Sequence, residues 1–392
     1  MAAMEKNNNN LNVPNLRFPE FDGEWETHRL GELVEIKSGV SPTGIIDENG
    51  LFPFYKVEQL NNCYVELNET PYLTMQSSVP VHGIIFPKRG AAIMTNKIRI
   101  ASKPCQLDTN LMALIIENNE KVDYKFLFYF IARYNLSKIA DTSTIPQINN
   151  IHINPLKITL PSFKEQQKIS ALLTVLDLKI DTQRKIIEDL KKLKDAITHS
   201  HYRNELSHSP MAYNIGQYIT QVSKRNKDAR IDRVLSVSNK YGFINQDEQF
   251  EDREVASADT SNYKIVHKGD FAYNPARINV GSVARLQEFE NGIVSPMYVC
   301  FTAKKGLLPA YFELYLSTNI FKHEMNKRLE GSVRLCLTYE SLCNIKIALP
   351  EFNVQKDFVS KVSAILTKIR AEERLLYLYH NCKQYLLSQM FI

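Results

Sequence analysis

Cysteine is scarce in this sequence, and long apolar runs are missing. The 392 residues include six cysteines and no Cys-x-x-Cys pair, whereas small secreted domains that depend on disulfides carry closely spaced cysteines. The apolar stretch from Phe126 to Ala132 is far shorter than the roughly 20 residues that a membrane-spanning helix needs, and no signal-peptide pattern is present. We therefore expect reduced thiols, no membrane span and a cytoplasmic location.

Glycine is also scarce, which argues against nucleotide and cofactor sites. The chain has 14 glycines and no Gly-x-Gly-x-x-Gly fingerprint. Gly39 and Gly44 have the spacing of a phosphate-binding loop, but Ile45 and Ile46 stand where such a loop needs a lysine and a hydroxyl residue. We therefore predict that the chain itself binds no cofactor.

One group of residues has the types found in a metal-dependent active site, but its spacing is not specific to such sites. Asp22 together with Glu35 and Lys37 has the composition of a metal-dependent nuclease site. Such Glu-x-Lys triplets arise by chance in most chains, and a half-exposed strand explains this one equally well. No metal site is predicted, and a nuclease stays open as an alternative.

Two stretches carry the same heptad pattern of apolar residues. The first runs from Lys164 to about Tyr202, and the second repeats it 189 residues later. Each is interrupted once by a polar residue, Gln183 in the first and Glu372 in the second. This a/d spacing is typical of helices that pack along one apolar stripe, so we predict two long helices that pack on each other. The seam residues are Ile169, Leu173, Leu176, Ile180, Ile187 and Leu190 in the first helix, and Phe358, Val362, Ile365, Ile369, Leu376 and Tyr379 in the second.

The segment before each long helix is repeated as well. Short β-like runs punctuated by glycine and proline precede both helices, and matching runs are offset by 185 to 189 residues. The predicted fold class is mixed α/β (α+β): two globular domains and two long helices in a pseudo-two-fold internal repeat. The predicted boundaries are a disordered, Asn-rich N-terminus at 1–15, globular domains at 16–161 and 206–350, and long helices at 162–205 and 351–392.

Local signals give further expectations around the first long helix. An amphipathic helix is predicted at about Tyr124 to Ala140. Ser162 is expected to cap the long helix, with Glu165 as its capping-box partner. The polar stretch that follows the helix is interpreted as a linker. It contains three histidines without a cysteine or carboxylate at zinc-binding spacing, which we interpret as solvated: His199, His201 and His208.

The two halves are more alike in their helices than in their globular parts. We therefore interpret the helices as a shared frame and the globular parts as two versions of one recognition task. A helix of about 37 residues would be roughly 55 Å long at 1.5 Å per residue, which exceeds one DNA turn of roughly 34 Å. The net charge of +5 permits nucleic-acid binding but does not require it.

Basic and polar residues in loops are the candidates for DNA contacts. Lysine and arginine bind phosphates, arginine can bind guanine through two hydrogen bonds, and amide side chains can contact base edges. The candidates in the first globular part are Lys88, Arg89, Lys97, Arg99, Thr144, Gln147 and Asn149, and those in the second are Lys224, Arg225, Lys227, Arg230, Arg277 and Arg285.

Several motifs stand out at the domain starts and at the junctions with the long helices. They are Arg17–Phe21, Trp25, Leu30–Leu33, Ile36–Gly39, Ile145–Asn149, Leu160–Pro161 and Glu165–Ile169, with a looser second copy at Leu349–Pro350 and Gln355. In these motifs, over nearly its whole length, the chain resembles the specificity (S) subunits of type I restriction-modification enzymes. Val354 departs from the pattern, because it replaces the acidic residue before the glutamine.

The resemblance implies a function that the residues alone do not. It implies that 16–161 and 206–350 are target-recognition domains, each reading one half of a bipartite double-stranded DNA site. The two helices would form an antiparallel coiled coil that sets the spacer and docks two modification subunits, which bind S-adenosylmethionine and methylate adenine. A restriction subunit, a translocase and nuclease, would bring ATP and magnesium. The specificity subunit itself is expected to be non-catalytic.

A third reading also stays open. A coiled-coil interaction protein with no DNA role would carry the same heptads and the same repeat. Phosphate contacts by several lysines and arginines would make DNA binding strongly salt-sensitive, so a lack of salt-sensitive binding to duplex DNA would favour this reading.

Overall fold

The computed structural model describes residues 12–61, 63–117, 120–142, 144–208, 212–246, 260–331 and 334–392. Most of the predicted disordered N-terminus therefore lies outside the described residues. The chain forms two compact units. The first consists of the chain up to Ile186 together with Glu372–Ile392, and the second is Ile187–Ala371.

Seven α-helices in the described ranges organise both units. They are α1 (Tyr124–Tyr134), α2 (Asn150–Ile153), α3 (Phe163–His208), α4 (Pro309–Leu316), α5 (Asn319–Asn326), α6 (Tyr339–Cys343) and α7 (Phe352–Gln389). The long helices α3 and α7 each begin in one unit and end in the other.

The described residues of the first unit form three small sheets. Its strands are β1 (Glu26–Arg29), β2 (Val34–Ser38), β3 (Phe52–Tyr55), β4 (Leu73–Thr74), β5 (Ile84–Pro87), β6 (Arg99–Ile100), β7 (Gln106–Leu107), β8 (Leu111–Ile116) and β9 (Lys157–Leu160). The sheet orders are β2-β8-β5-β6, β4-β3-β7 and β1-β9. The β3–β7 pair is parallel and the others are antiparallel.

The second unit repeats this topology. Its strands are β10 (Tyr213–Asn214), β11 (Ile219–Val222), β12 (Val234–Ser238), β13 (Gly242–Asn245), β14 (Lys264–His267), β15 (Phe271–Tyr273), β16 (Val283–Arg285), β17 (Asn291–Val294), β18 (Val299–Ala303) and β19 (Lys346–Ile347). The orders β11-β18-β15-β16, β13-β12-β17 and β10-β19 match those of the first unit, and β14 is added beside β17. The sequence repeat is therefore a repeat of strand order.

In each unit the core lies between a domain helix and the two long helices. In the first, Phe126 of α1 packs with Ile169 at the start of α3 and Phe391 just after α7. In the second, Tyr311 of α4 packs with Phe358 at the start of α7 and Tyr202 near the end of α3. Within each unit the start of one long helix thus lies beside the end of the other, so the two run antiparallel. Burial of such aromatic side chains is the main force holding each unit together.

Two local expectations differ from the structure. The predicted helix at 124–140 ends at Tyr134, because Asn135 has a φ of +62°, a conformation that cannot continue a right-handed helix. Only a 3₁₀ turn follows, at Leu136–Ile139. The polar stretch predicted as a linker is helical as far as His208.

Candidate nucleic-acid interface

Two equivalent glutamines, one in each unit, attach a globular part to the long helix that follows it. Gln166 lies in the first turn of α3, and its amide oxygen accepts a hydrogen bond from the backbone N–H of Asp123 at 3.0 Å. Its Nε2 donates to the carbonyls of Lys121 at 2.9 Å and Pro161 at 3.0 Å. The side chain is 1% exposed. Three backbone groups of the globular part are thus satisfied by one helical side chain.

Gln355, in the first turn of α7, makes the same three bonds in the second unit. Its amide oxygen accepts from the backbone N–H of Leu308 at 2.9 Å, and its Nε2 donates to the carbonyls of Gly306 and Pro350, both at 2.9 Å. The partners are offset by 185 to 189 residues from those of Gln166, as in the sequence repeat. We name the two arrangements the glutamine clamps.

The predicted capping box at the start of α3 forms only in part. The backbone N–H of Glu165 donates to Ser162 Oγ at 3.4 Å, as expected of an N-cap. The Glu165 carboxylate, however, accepts two hydrogen bonds from Arg17, both at 2.8 Å. This ion pair joins the start of the chain to the helix and explains the burial of the Glu165 side chain.

The predicted seam residues are buried to different degrees. Ile169, Leu173, Ile180, Ile187, Phe358, Val362 and Ile369 are buried, and Leu176, Leu190, Ile365, Leu376 and Tyr379 are half-buried. The two polar interruptions meet each other in the first unit, where Gln183 Nε2 donates to the Glu372 carboxylate. The breaks in the two heptad patterns are therefore matched.

A buried polar network crosses the first unit beside this seam. Asp177 accepts hydrogen bonds from Tyr129 Oη at 2.7 Å and from Lys383 Nζ at 2.5 Å. Burial, followed by the nearby Asp177 carboxylate, raises the pKa of Tyr129. The equivalent residues in the second unit are Leu314 and Leu366, which pack against its core. The network thus distinguishes the two copies.

The interpretation of His201 as a solvated linker residue is wrong. Its ring stacks on Phe358, with centroids 3.7 Å apart, and its Nε2 lies 3.0 Å from Tyr311 Oη. Burial and the charge of Lys361 lower the pKa of His201 to about 4. The side chain of His208 lies outside the described part.

The burial of His201 predicts acid sensitivity of the second unit. Because its folded pKa lies below the ordinary value of about 6.5, stability is present above pH 6.5 and falls as the pH drops towards 4. The ring is partly exposed, so we expect a total loss of only about 1–2 kcal/mol. The free energy of unfolding of the His201→Phe variant, measured from pH 7 to pH 4, should not show this pH-dependent loss. The matched control His267→Gln alters an exposed strand residue and should keep it, whereas an unchanged pH profile in His201→Phe would contradict the assignment.

In the first unit, backbone pairing brings five of the candidate DNA-contacting residues together. The segment after β5 pairs with the segment before α2 through a bridge between Arg89 and Gln147 and a bond from Ile148 N–H to the Lys88 carbonyl at 2.8 Å. Burial lowers the pKa of Lys88, and Arg89 adds to this. The residues that share this surface are Lys88, Arg89, Thr144, Gln147 and Asn149.

The other two candidates of the first unit contact a different loop. Lys97 bonds to Asn61, and Arg99 Nε donates to Cys63 Sγ at 3.2 Å. Arg99 also donates to the carbonyl of Ile98 at 2.7 Å. Both cations therefore hold the segment around residue 61 against β6.

In the second unit, a loop between β11 and β12 exposes four of the candidates. The loop is anchored by the buried Asn226, whose Nδ2 donates to the Ile231 carbonyl at 2.9 Å and whose N–H bonds to Tyr263. The exposed residues are Lys224, Arg225, Lys227 and Arg230. Arg225 donates to Asn262 at 2.9 Å, and Arg230 lies 3.6 Å from Asp228.

The last two candidates, Arg277 and Arg285, differ in their surroundings. Arg277 is exposed in the turn between β15 and β16. Arg285 is half-buried and forms an ion pair with Glu313 at 2.9 Å. Arg285 therefore ties β16 to α4, and Arg277 is the better placed of the two to meet a ligand.

The residues of the nuclease alternative do not form a metal-binding cluster. Glu35 pairs with Lys37, two residues along β2. Within the described ranges, no group of three histidine, cysteine, aspartate or glutamate side chains could hold a metal ion. No helix in the same ranges is long and apolar enough to cross a membrane.

The known proteins that this chain is similar to are of one kind. Residues 22–192 match the family model described as the type I restriction modification DNA specificity domain. The chain resembles type I specificity subunits. The type I restriction enzyme MjaVIII specificity subunit of Methanocaldococcus jannaschii is 23% identical over 416 aligned residues, which cover 94% of this chain and 92% of that relative. The EcoDI specificity subunit of Escherichia coli is 22% identical over 233 residues, covering 57% of this chain and 48% of the relative.

Solved structures share the fold. A type I restriction-modification S subunit from M. genitalium matches with a TM-score of 0.62 at 16% identity, covering 97% of this chain and 99% of that chain. A chain from a structure of type I R-M system assembly matches with a TM-score of 0.56 at 15% identity, covering 94% and 97%. The predicted family resemblance and the predicted fold class, mixed α/β with an internal repeat, are confirmed.

Proposed function

We propose that this chain is the DNA sequence-recognition subunit of a type I restriction-modification complex. Each unit reads one half of a bipartite double-stranded DNA site, and the helices α3 and α7 set the spacer. The observation that carries the proposal is the duplicated architecture. The same strand order and the same glutamine clamp occur twice, while the exposed basic loops differ between the units. Two units with the same fold but different exposed basic residues suit a protein that recognises two different half-sites.

Partner subunits supply the chemistry in this proposal. The chain is non-catalytic, acts in the cytoplasm and docks two adenine methyltransferase subunits. S-adenosylmethionine, ATP and magnesium are bound by those subunits and by the restriction subunits. The long helices offer a docking face, because α3 exposes Val175, Leu178 and Ile186 within the first unit. Leu178 is 63% exposed, and separations of three and eight residues place all three side chains on one face of the helix, which suits helix packing.

A domain exchange tests the proposal. In cells that co-express the chain with a cognate modification subunit, adenine methylation is expected at one interrupted, two-part motif and should disappear when the chain is omitted. Replacing Leu16–Pro155 with the corresponding segment of another specificity subunit should change one half of that motif and leave the other half and the spacer intact. Methylome sequencing measures both results.

Two outcomes would contradict the proposal. A change in both halves would show that the units do not recognise DNA separately. A stable complex with the modification subunit that methylates no new motif would show that the chain assembles the complex without selecting DNA. A control exchange with a segment from a subunit of the same specificity should leave the motif unchanged.

A further inference from the structure

The second unit contains a β-hairpin whose tip is exposed and whose base packs in the core, where Val237 is 5% and Phe243 is 6% exposed. Strand β12 pairs with β17 only at Val234 and Leu235, but it pairs with β13 from Leu235 to Ser238. The end of the β12–β13 hairpin is therefore a two-stranded ribbon. Its turn closes at Gly242, whose φ of +69° is a conformation that glycine adopts without strain. We name the hairpin end, residues 236–244, the ribbon.

The tip of the ribbon exposes an aromatic ring and a cation. Tyr241 is 67% exposed, and Lys240 is exposed beside it with Nζ 4.9 Å from the ring centroid. Aromatic side chains usually bury most of their surface, and tyrosine is enriched where proteins bind other molecules. The exposed ring therefore marks a contact surface and contributes nothing to a core.

A second turn lies against the ribbon and extends this surface. Ser282 Oγ donates to the Val237 carbonyl at 3.1 Å, which fixes the turn between β15 and β16 to the ribbon strand. That turn exposes Arg277, and Val280 is 58% exposed. Neither Lys240 nor Arg277 has a carboxylate partner in the part of the chain that the structure describes. Two such cations thus flank an exposed ring and an aliphatic side chain.

No equivalent ribbon occurs among the described residues of the first unit. Its strands β3 and β4 pair at only two positions, Phe52 with Thr74 and Pro53 with Leu73. The chain between them passes through a 3₁₀ turn at Val57–Asn61 and a long loop, not through a tight turn. Features that both units share cannot distinguish two half-sites. A feature present in one unit alone can do so.

Resting on the function proposed above, we propose that the exposed tip of the ribbon enters the major groove of the half-site read by the second unit, and that Tyr241 and Lys240 contact base edges there. A two-stranded ribbon fits the width of the major groove. A lysine can donate to the N7 and O6 acceptors of guanine, and an apolar ring face can pack on the methyl group of thymine. Arg277 lies beside the ribbon to contact the phosphates that border the groove.

Alanine variants of the full chain test this assignment. Each variant is tested as a complex with the cognate modification subunit. Tyr241→Ala and Lys240→Ala are each expected to weaken the binding of this complex to a duplex that contains its methylation motif at least 10-fold. Discrimination should relax at one or two base positions of the second half-site and stay unchanged in the first. Both residues are exposed, so the thermal unfolding midpoint should match that of the unaltered chain. The measurements are competition binding with single-base duplex variants and methylome sequencing.

A matched control separates base contact from a general loss of charge. Lys305→Ala removes an exposed cation of the same unit next to Gly306, in the turn held by Gln355, and should leave base discrimination unchanged. The ribbon assignment is overturned if Tyr241→Ala keeps full selectivity at every position, or relaxes both halves equally. It is also overturned if the variant weakens the complex with the modification subunit instead of the complex with DNA. If the unaltered chain selects no bipartite motif at all, the proposed function fails first, and the ribbon assignment with it.

Discussion

Replacing Asp177 with alanine is expected to destabilise the first unit by about 3–5 kcal/mol, because removing one partner of a buried ion pair leaves the other charge without compensation. Lys383 is largely buried and loses its carboxylate, and the Tyr129 hydroxyl keeps only its longer hydrogen bond, to Thr174 Oγ1 at 3.4 Å. The free energy of unfolding of the first unit can be measured by hydrogen exchange of the amides in α1 and in the β2-β8-β5-β6 sheet. Hydrogen exchange is preferred because a chain of two units need not unfold in one step.

Two further variants test the reason for this loss. Asp181→Ala removes an exposed carboxylate on the same helix, paired with Lys185 at 2.7 Å, and should cost less than about 0.5 kcal/mol. The triple variant of Asp177→Leu, Tyr129→Leu and Lys383→Met installs the apolar residues of the second copy, Leu366 and Leu314, and removes the cation that would otherwise stay buried without a carboxylate. It should recover much of the loss, since apolar side chains of similar volume can replace a buried polar network. A loss below about 1 kcal/mol for Asp177→Ala would show that the network is not important for stability.

Gln166→Ala and Gln355→Ala are each expected to destabilise their own unit by about 2–4 kcal/mol, since each leaves one N–H and two carbonyls at the edge of a core without partners. The two clamps have equal geometry, so the two losses should be similar and confined to one unit each. Hydrogen exchange around α1 reports on the first clamp, and exchange around α4 reports on the second.

The neighbouring glutamine provides the control. Gln167 is exposed on the same turn of α3, and Gln167→Ala should change stability by less than about 0.5 kcal/mol. Gln166→Glu removes the amide donor and places a carboxylate near two carbonyl oxygens, so it should be at least as harmful as the alanine variant. Clearly unequal effects of Gln166→Ala and Gln355→Ala would show that the clamps do not play the same part.

The two long helices and the internal repeat could be predicted from the sequence, because the helices have a periodic apolar pattern and the pattern occurs twice. The heptad spacing predicted two long helices, and the offset of 189 residues matched Gln183 with Glu372, which are in contact. The seam shifts by one residue at Leu176, which is half-buried while Asp177 is buried. Asp177 is buried there because Tyr129 and Lys383 satisfy it. Those two residues lie far away in sequence, and a periodic pattern carries no sign of them.

The surroundings of the candidate DNA-contacting residues could be predicted only in part. Side-chain type indicated that Arg89 and the loop from Lys224 to Arg230 reach solvent. It could not show that Arg285 is held by Glu313 or Arg99 by Cys63, because those partners are set by the sheets. Tyr241 was not among the predicted candidates, although Asn239-Lys240-Tyr241-Gly242 between two β-like runs is a recognisable hairpin signal. Whether a tyrosine in such a turn is buried or exposed depends on the strands beside it.

The first unit is built from two separate segments of the chain, and this has a consequence for its synthesis on the ribosome. The second unit is a continuous segment, whereas the first needs Phe391, just after α7, to cover Phe126 and Lys383 of α7 to pair with Asp177. The N-terminal piece emerges first but must wait for the final segment, on the order of 10–40 s at the usual rate of about 5–20 residues per second. During this interval its apolar face is open to chaperones and to other nascent chains. The half of the protein that is made first is therefore the half that is completed last.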